Sequence, residues 1–193
     1  MRPENRTAKL LSVLAAAGAL CCGFLATAAT AQSGSPSETV TGTWQRRQVT
    51  FDYFGVTALY TCEGLEDHVR SLLLLLGARK DAHVIATGCP GPNAPSHSAF
   101  VHADFYALVP AGATATDTVP ANWAPLQLVP HHPSYVTDGD CELLERMKGF
   151  ITQNFSLRDV VYRTSCFPHE ITPDAFAIKG QSLMAVLPPA VKG

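Results

Sequence analysis

"CEGLE" occupies residues 62–66 and "CELLE" residues 141–145, 79 positions further along the chain. If the two words mark copies of one unit, other residues must recur at nearly that spacing. Trp44 and Trp123, Cys62 and Cys141, Glu63 and Glu142, Leu65 and Leu144, Glu66 and Glu145, and Arg79 and Arg158 are all 79 apart. Cys89 and Cys166 follow at 77, each two residues after a threonine, and "ALVP" ending at Pro110 answers "AVLP" ending at Pro188 at 78. The sequence therefore reads as a tandem duplication with copies over 44–110 and 123–188.

Each copy reads strand, helix, strand, strand. Val49, Phe51 and Tyr53 alternate with Thr50 and Asp52, the period-two pattern of a half-buried strand; the second copy opens with the shorter "APLQLVP" of 124–130. Thr61 and Asp140 are placed to cap the following helices, with Glu63 and Glu142 in the first turn, where a carboxylate suits the helix dipole. Leu65, Val69, Leu72 and Leu76 share one helical face, as do Leu144, Met147, Ile151 and Phe155. Gly77 ends the first helix, and "DAHVIATGC" and "DVVYRTSC" read as short strands closing on a cysteine. The last strands are "AFVHADFYALVP" and "SLMAVLPP", and loops are expected over 90–98, 111–122, 131–139 and 167–181. The implied fold is α+β: a duplicated βαββ unit forming a ferredoxin-like sandwich, with two helices on one face of a mixed sheet of about six strands. Two half-domains with separate sheets are the alternative.

That arrangement pairs the cysteines. In a βαβ unit the helix starts beyond the end of the first strand, and the second, parallel strand ends on the same edge. Cys62 is thus expected to join Cys89, and Cys141 to join Cys166. Each bridge closes a loop of about 25 residues, which loop-closure entropy values at about 3 to 4 kcal/mol. Bridges this long, tying helix to strand, are of the structural rather than the redox-active kind.

The N-terminus fits export. Arg2, Arg6 and Lys9 precede the apolar "LLSVLAAAGALCCGFLATAA", and Ala29-Thr30-Ala31 offers an A-x-A cleavage site, so 1–31 reads as a secretory signal peptide. Cys21 and Cys22 lack the residues of a lipid-attachment site before them and read as ordinary apolar residues. Residues 32–43, "QSGSPSETVTGT", read as a disordered leader, and 44–193 as one stapled domain. Four cysteines in an oxidising compartment suit two disulfides. No other apolar run approaches the roughly 20 residues of a membrane span. Cleavage takes the chain from 14 basic and 16 acidic residues to 11 and 15, a balance that does not suit nucleic acid or an anionic membrane surface.

With "VTFDYFGVTALYTCEGLEDHVRSLLLLLGARKDAHVIATGC" and "GDCELLERM" in view, the chain over 44–188 resembles uncharacterised, signal-peptide-bearing proteobacterial proteins. They share an aromatic-rich strand, a Tyr-x-Cys-x-Gly-Leu turn and a Leu-rich helix ending in Leu-Gly-Ala-Arg. The resemblance implies a periplasmic or secreted protein and carries over no activity, cofactor or catalytic residue.

Chemistry-bearing motifs are sparse. The seven histidines show no H-E-x-x-H, H-x-H or Cys/His ligand spacing; His131-His132 reads as an exposed turn, His169-Glu170 as a loop, and His102, Asp104 and Tyr106 as one polar strand face. His68 is expected to pack with a hydrogen bond to nearby backbone. There is no G-x-S-x-G elbow, no glycine-rich phosphate loop, and "PGPNAP" lacks the backbone N–H groups a phosphate needs. Arg79 and Arg158 are expected to favour helix C-terminal carbonyls or to pair with Asp81 and Asp159. The copies differ where no core requires it: the first clusters Phe51, Tyr53, Phe54 and Tyr60, whereas the second has His131, His132 and Tyr135 in "PHHPSY". These segments are the candidate binding surface, for an envelope protein or small ligand, with no cofactor and no metal assigned. The reading is a non-enzymatic binding or interaction module; the alternative is a metal-binding protein or enzyme using loop histidines.

Overall fold

Val101, Ala103, Phe105, Ala107 and Val109 alternate onto one face of "AFVHADFYALVP"; the first four lie in the interior, none more than 1% exposed, and Val109 is half-buried. They belong to the third of six strands in the computed structural model, which describes residues 39–91 and 93–186. In chain order the elements are β1 (Thr39–Phe54), α1 (Cys62–Leu75), β2 (His83–Thr87), β3 (Ser98–Pro110), β4 (Thr118–Leu128), α2 (Cys141–Asn154), β5 (Leu157–Thr164) and β6 (Phe176–Ala185). A single 3₁₀ turn, Asp138–Asp140, leads into α2.

The strands form one sheet in the order β2-β3-β1-β4-β6-β5. Every neighbouring pair is antiparallel, so the expectation of a mixed sheet is corrected. β1 and β2 do run in the same direction, but β3 returns between them, as β6 does between β4 and β5. The parallel relation that places helix start and strand end on one edge survives without adjacency. Both bridges form, Cys62–Cys89 and Cys141–Cys166, with Cα atoms 5.9 and 5.7 Å apart.

Register refines the sequence comparison. Trp44 lies opposite Leu108 and Trp123 opposite Leu183, so the residues facing the two tryptophans are 75 apart, where the Ala-Leu-Val-Pro and Ala-Val-Leu-Pro words are 78 apart. Part of the second word lies outside the described residues, and β6 starts at Phe176, inside the expected 167–181 loop. The expected joint 111–122 is likewise shortened by β4. The leader is shortened too: Thr39–Thr43 pair with Thr118–Asn122, the five rungs that join β1 to β4. Threonine and valine make up four of the five residues 39–43 and suit a strand, a signal that the polar composition of 32–43 obscured. Residues 1–38, which hold the expected signal peptide and the start of the expected leader, lie outside the described residues.

One core cluster takes the apolar faces of both helices and one face of the strands. Leu65, Val69 and Leu72 from α1, Leu76 just past its end, and Leu144, Met147 and Ile151 from α2 are at most 1% exposed, as the helical periodicity required. The helices reach across the halves. Phe150 and Phe155 at the end of α2 stack on Phe51 and Phe105 of the first half at 5.3 and 5.2 Å, while Ser182 of β6 donates 2.5 Å to the Leu76 carbonyl. α1 ends through paired bonds from Gly77 N to Leu74 O and Ala78 N to Leu73 O, with Gly77 at φ +99°, a helix stop built on glycine. A Cβ at Gly77 would lie 3.0 Å from the Leu183 carbonyl oxygen, so the stop is also a contact with β6.

The opposite sheet face holds a smaller cluster of Leu108, Ala121 and Leu183, flanked by the half-buried Trp44 and Trp123. Each tryptophan carries an arginine over its ring, Arg79 at 5.9 Å and Arg158 at 4.6 Å. Arg79 also covers Tyr106 at 3.7 Å and forms the expected pair with Asp81, at 2.8 and 2.6 Å. Arg158 bonds Gln181 at 2.8 Å rather than the expected Asp159.

Candidate functional site

The loop leaving β1 is pinned along its length. The Tyr53 ring folds back over Gly55, where a Cβ would sit 1.8 Å from its hydroxyl, and that hydroxyl donates 2.6 Å to Ala58 O. Gly55 N donates to His97 O at 2.8 Å and Ser96 N to Tyr60 O at 2.9 Å. Val56 N and Thr57 N both donate to Glu142 Oε2, at 2.8 and 3.0 Å. Glu142 at the start of α2 thus binds backbone of the first half, beyond the dipole role its position implied.

Next to it lies the most buried carboxylate of the joint. Asp140 is 2% exposed. Its Oδ2 accepts from Thr137 N at 2.6 Å and Thr137 Oγ1 at 3.1 Å, and the Tyr60 hydroxyl donates to Oδ1. His68 Nε2 lies 3.1 Å from the same oxygen, off the line of a hydrogen bond. Asp140 does not cap α2 with its side chain, contrary to expectation, because the carboxylate turns back toward Thr137 and the first half; Thr61 does cap α1, accepting from Gly64 N at 3.0 Å. His68 faces this carboxylate and not the backbone. Burial pushes the Asp140 carboxyl up, but His68, the Tyr60 hydroxyl and the Thr137 N–H together outweigh it and hold it below the ordinary carboxylate value. Burial, reinforced by the Asp140 charge, raises Tyr60 well above an ordinary phenol, so it stays a donor; burial and then Glu142 do the same to Tyr53.

The two segments singled out in the sequence meet across His68. Tyr60 stacks on the imidazole at 5.7 Å and Tyr135 sets its edge to it at 6.1 Å, while Tyr53 packs edge-on against Tyr60 at 5.3 Å. Their exposure divides them. Tyr53 is 1% exposed and belongs to the core, and Phe51 is half-buried against Phe150; both are corrected as surface residues, because they continue the inward alternation begun at Val49. Tyr60 is also half-buried. Phe54 and Tyr135 are 54% and 41% exposed. His131 and His132 are exposed on a turn, with His131 Nε2 3.3 Å from Asp138.

Beside this network a cleft of about 540 Å³ opens between the halves, lined by Phe54, Val56, Glu142, Glu145, Arg146, Cys166 and Pro168. Glu145 accepts from Thr164 Oγ1 at 2.7 Å, just as Glu66, its counterpart in "CEGLE", accepts from Ala86 N at 2.8 Å. Both glutamates tie a helix to the next strand. Arg146 is exposed and its side chain has no partner among the described residues. The residues missed by sequence reasoning are Asp140 as acceptor and Arg146 as cleft cation. Nothing at residues 60, 68 and 140 marks them as neighbours, since the contacts span 72 to 80 positions.

On the open sheet face Asp104 is gripped by Arg46, through its Nε at 2.9 Å, and by Gln48 at 3.1 Å. The hydrogen bond from Arg46 leads the causes that pull its carboxyl down to about 2. His102 Nδ1 lies 3.2 Å from Thr50 Oγ1. Among the described residues no three His, Cys, Asp or Glu side chains converge as a metal site, and no helix is long and apolar enough to cross a membrane. Comparisons with protein-family models, curated proteins and solved structures return no match.

Proposed function

We propose that the chain is an exported, non-enzymatic binding module that takes a polypeptide partner in the cleft at Phe54, Val56, Arg146 and Pro168. The observation that carries this reading is Phe54, a large apolar side chain 54% exposed at the end of β1, next to a loop held by the Glu142 hydrogen bonds. A rigid apolar anchor beside a cation with no partner among the described residues is what a binding surface needs, while Glu142 and Glu145 are already engaged in holding the fold. The signal sequence, the two bridges and the resemblance to signal-bearing proteobacterial proteins support a periplasmic or secreted location. The 79-residue correspondences, together with a strand order that reads β2-β3-β1 in one half and β5-β6-β4 in the other, support a duplicated, ferredoxin-like βαββ unit.

The test replaces Phe54 with a photo-crosslinking amino acid and compares it with the same probe at exposed Thr50, in envelope extracts of the cells that make the protein. A partner captured from position 54, absent from position 50 and lost with Arg146→Glu, supports the cleft. Equal capture from both positions overturns it.

A further inference from the structure

A second groove lies where the end of α1 meets β1 and the end of β6. Trp44, Leu74, Ala78, Met184 and Ala185 line about 450 Å³ of it, with Arg79 and Lys80 alongside, a volume in the range of small-molecule sites. Its two cations are not equivalent. Arg79 is matched by Asp81 at 2.8 and 2.6 Å. Lys80 is exposed, and its ammonium has no partner among the described residues. The position 79 residues on from Lys80 is Asp159, so the charge belongs to this groove and not to the repeated frame.

The backbone narrows the ligand class. The N–H groups of Gly77, Ala78 and Arg79, which border the groove, are all engaged, by Leu74 O, Leu73 O and Tyr106 O. A bound peptide relies on main-chain partners of this kind, whereas an alkyl chain needs none. We propose that this groove binds a single-chain anionic amphiphile, its aliphatic chain along Trp44, Leu74 and Met184 and its acidic head at Lys80. A free fatty acid and a lysophospholipid share this chemistry.

The site carries its own reporter. In a Trp123→Phe variant of the mature protein, Trp44 is the sole indole, and its emission is followed on titration with octanoate, decanoate and dodecanoate below their micellar concentrations. Saturable binding should tighten by about fourfold per methylene. Lys80→Glu, a change at an exposed side chain, should weaken dodecanoate binding at least tenfold with an unchanged circular dichroism spectrum. Comparison with lysophosphatidylglycerol tells which head is preferred. No saturable signal, equal binding of dodecyltrimethylammonium, or tighter binding of an apolar tripeptide with a free carboxylate would each overturn the proposal. Phe54→Asp should leave the titration unchanged, which separates this groove from the cleft.

Discussion

Asp140 joins the halves through one carboxylate, and removing it should cost far more than removing a surface charge. In Asp140→Ala the half-buried Tyr60 hydroxyl loses its acceptor, and the Thr137 N–H loses a 2.6 Å bond. An unsatisfied buried donor costs roughly 1 to 3 kcal/mol. Thr137 is exposed and regains water, so the loss should total about 1 to 3 kcal/mol. Tyr60→Phe alone removes one hydrogen bond to a charged group, about 1.5 to 3 kcal/mol. Once Asp140 is gone, the phenol has no partner left to lose, so the double variant should fall short of the sum by at least 1 kcal/mol. Urea unfolding at pH 7, followed by tryptophan emission, measures all four corners of the cycle. Because the folded-state carboxyl lies below its ordinary value, its contribution is complete above the unfolded pKa near ~4 and is lost as pH falls through the folded one. The difference between wild type and Asp140→Ala should therefore shrink in acid. Additivity within about 0.5 kcal/mol, or a difference that grows in acid, would refute the network as described.

Three further outcomes are expected. Gly77→Ala places a Cβ 3.0 Å from Leu183 O on a residue at φ +99°, and should destabilise by about 1 to 2 kcal/mol, read as a lower thermal midpoint; an unchanged midpoint would contradict the tight stop. Non-reducing peptide mapping should find Cys62 with Cys89 and Cys141 with Cys166, and Cys62→Ser with Cys89→Ser should lower stability by about 3 to 4 kcal/mol; a peptide joining Cys62 to Cys141 would overturn the pairing. In a carboxyl-carbon NMR titration Asp104 should show a midpoint of about 2, moving upward in Arg46→Ala, whereas an ordinary midpoint would show the Arg46 contact to be absent in solution.

What the sequence could reveal was local or repeated. Helical periodicity placed Leu65, Val69, Leu72 and Leu76 correctly because a 3.6-residue repeat depends only on neighbours along the chain. The bridges were legible because a helix start and the end of the following strand are set by the direction of one short unit. The interposition of β3 between β1 and β2 was not, since hydrophobic alternation says which face a strand buries and nothing about which strand lies beside it. The strand role of Thr39–Thr43 was hidden for a related reason, as its partners begin at Thr118. Tyr53 and Phe54 are adjacent aromatics of similar size, and only the pleat, continued from Val49, decides that one is core and the other rim. Asp140 looked like a helix cap because that is the commonest use of an aspartate there; its partners Tyr60 and His68 are visible only once the halves are folded together.

The five rungs between Thr39–Thr43 and Thr118–Asn122 have a consequence for how the chain can be cut. Each half carries its own helix and its own covalent bridge, and the connection between them, residues 111–117, is mostly exposed. A protease nick near Gly112 leaves two pieces whose contacts, from the rungs to the Phe105–Phe155 stack and the Asp140 carboxylate, remain in place. The molecule is thus built like a two-part complex tethered by a short cord, and the cord acts by raising the local concentration of one part near the other.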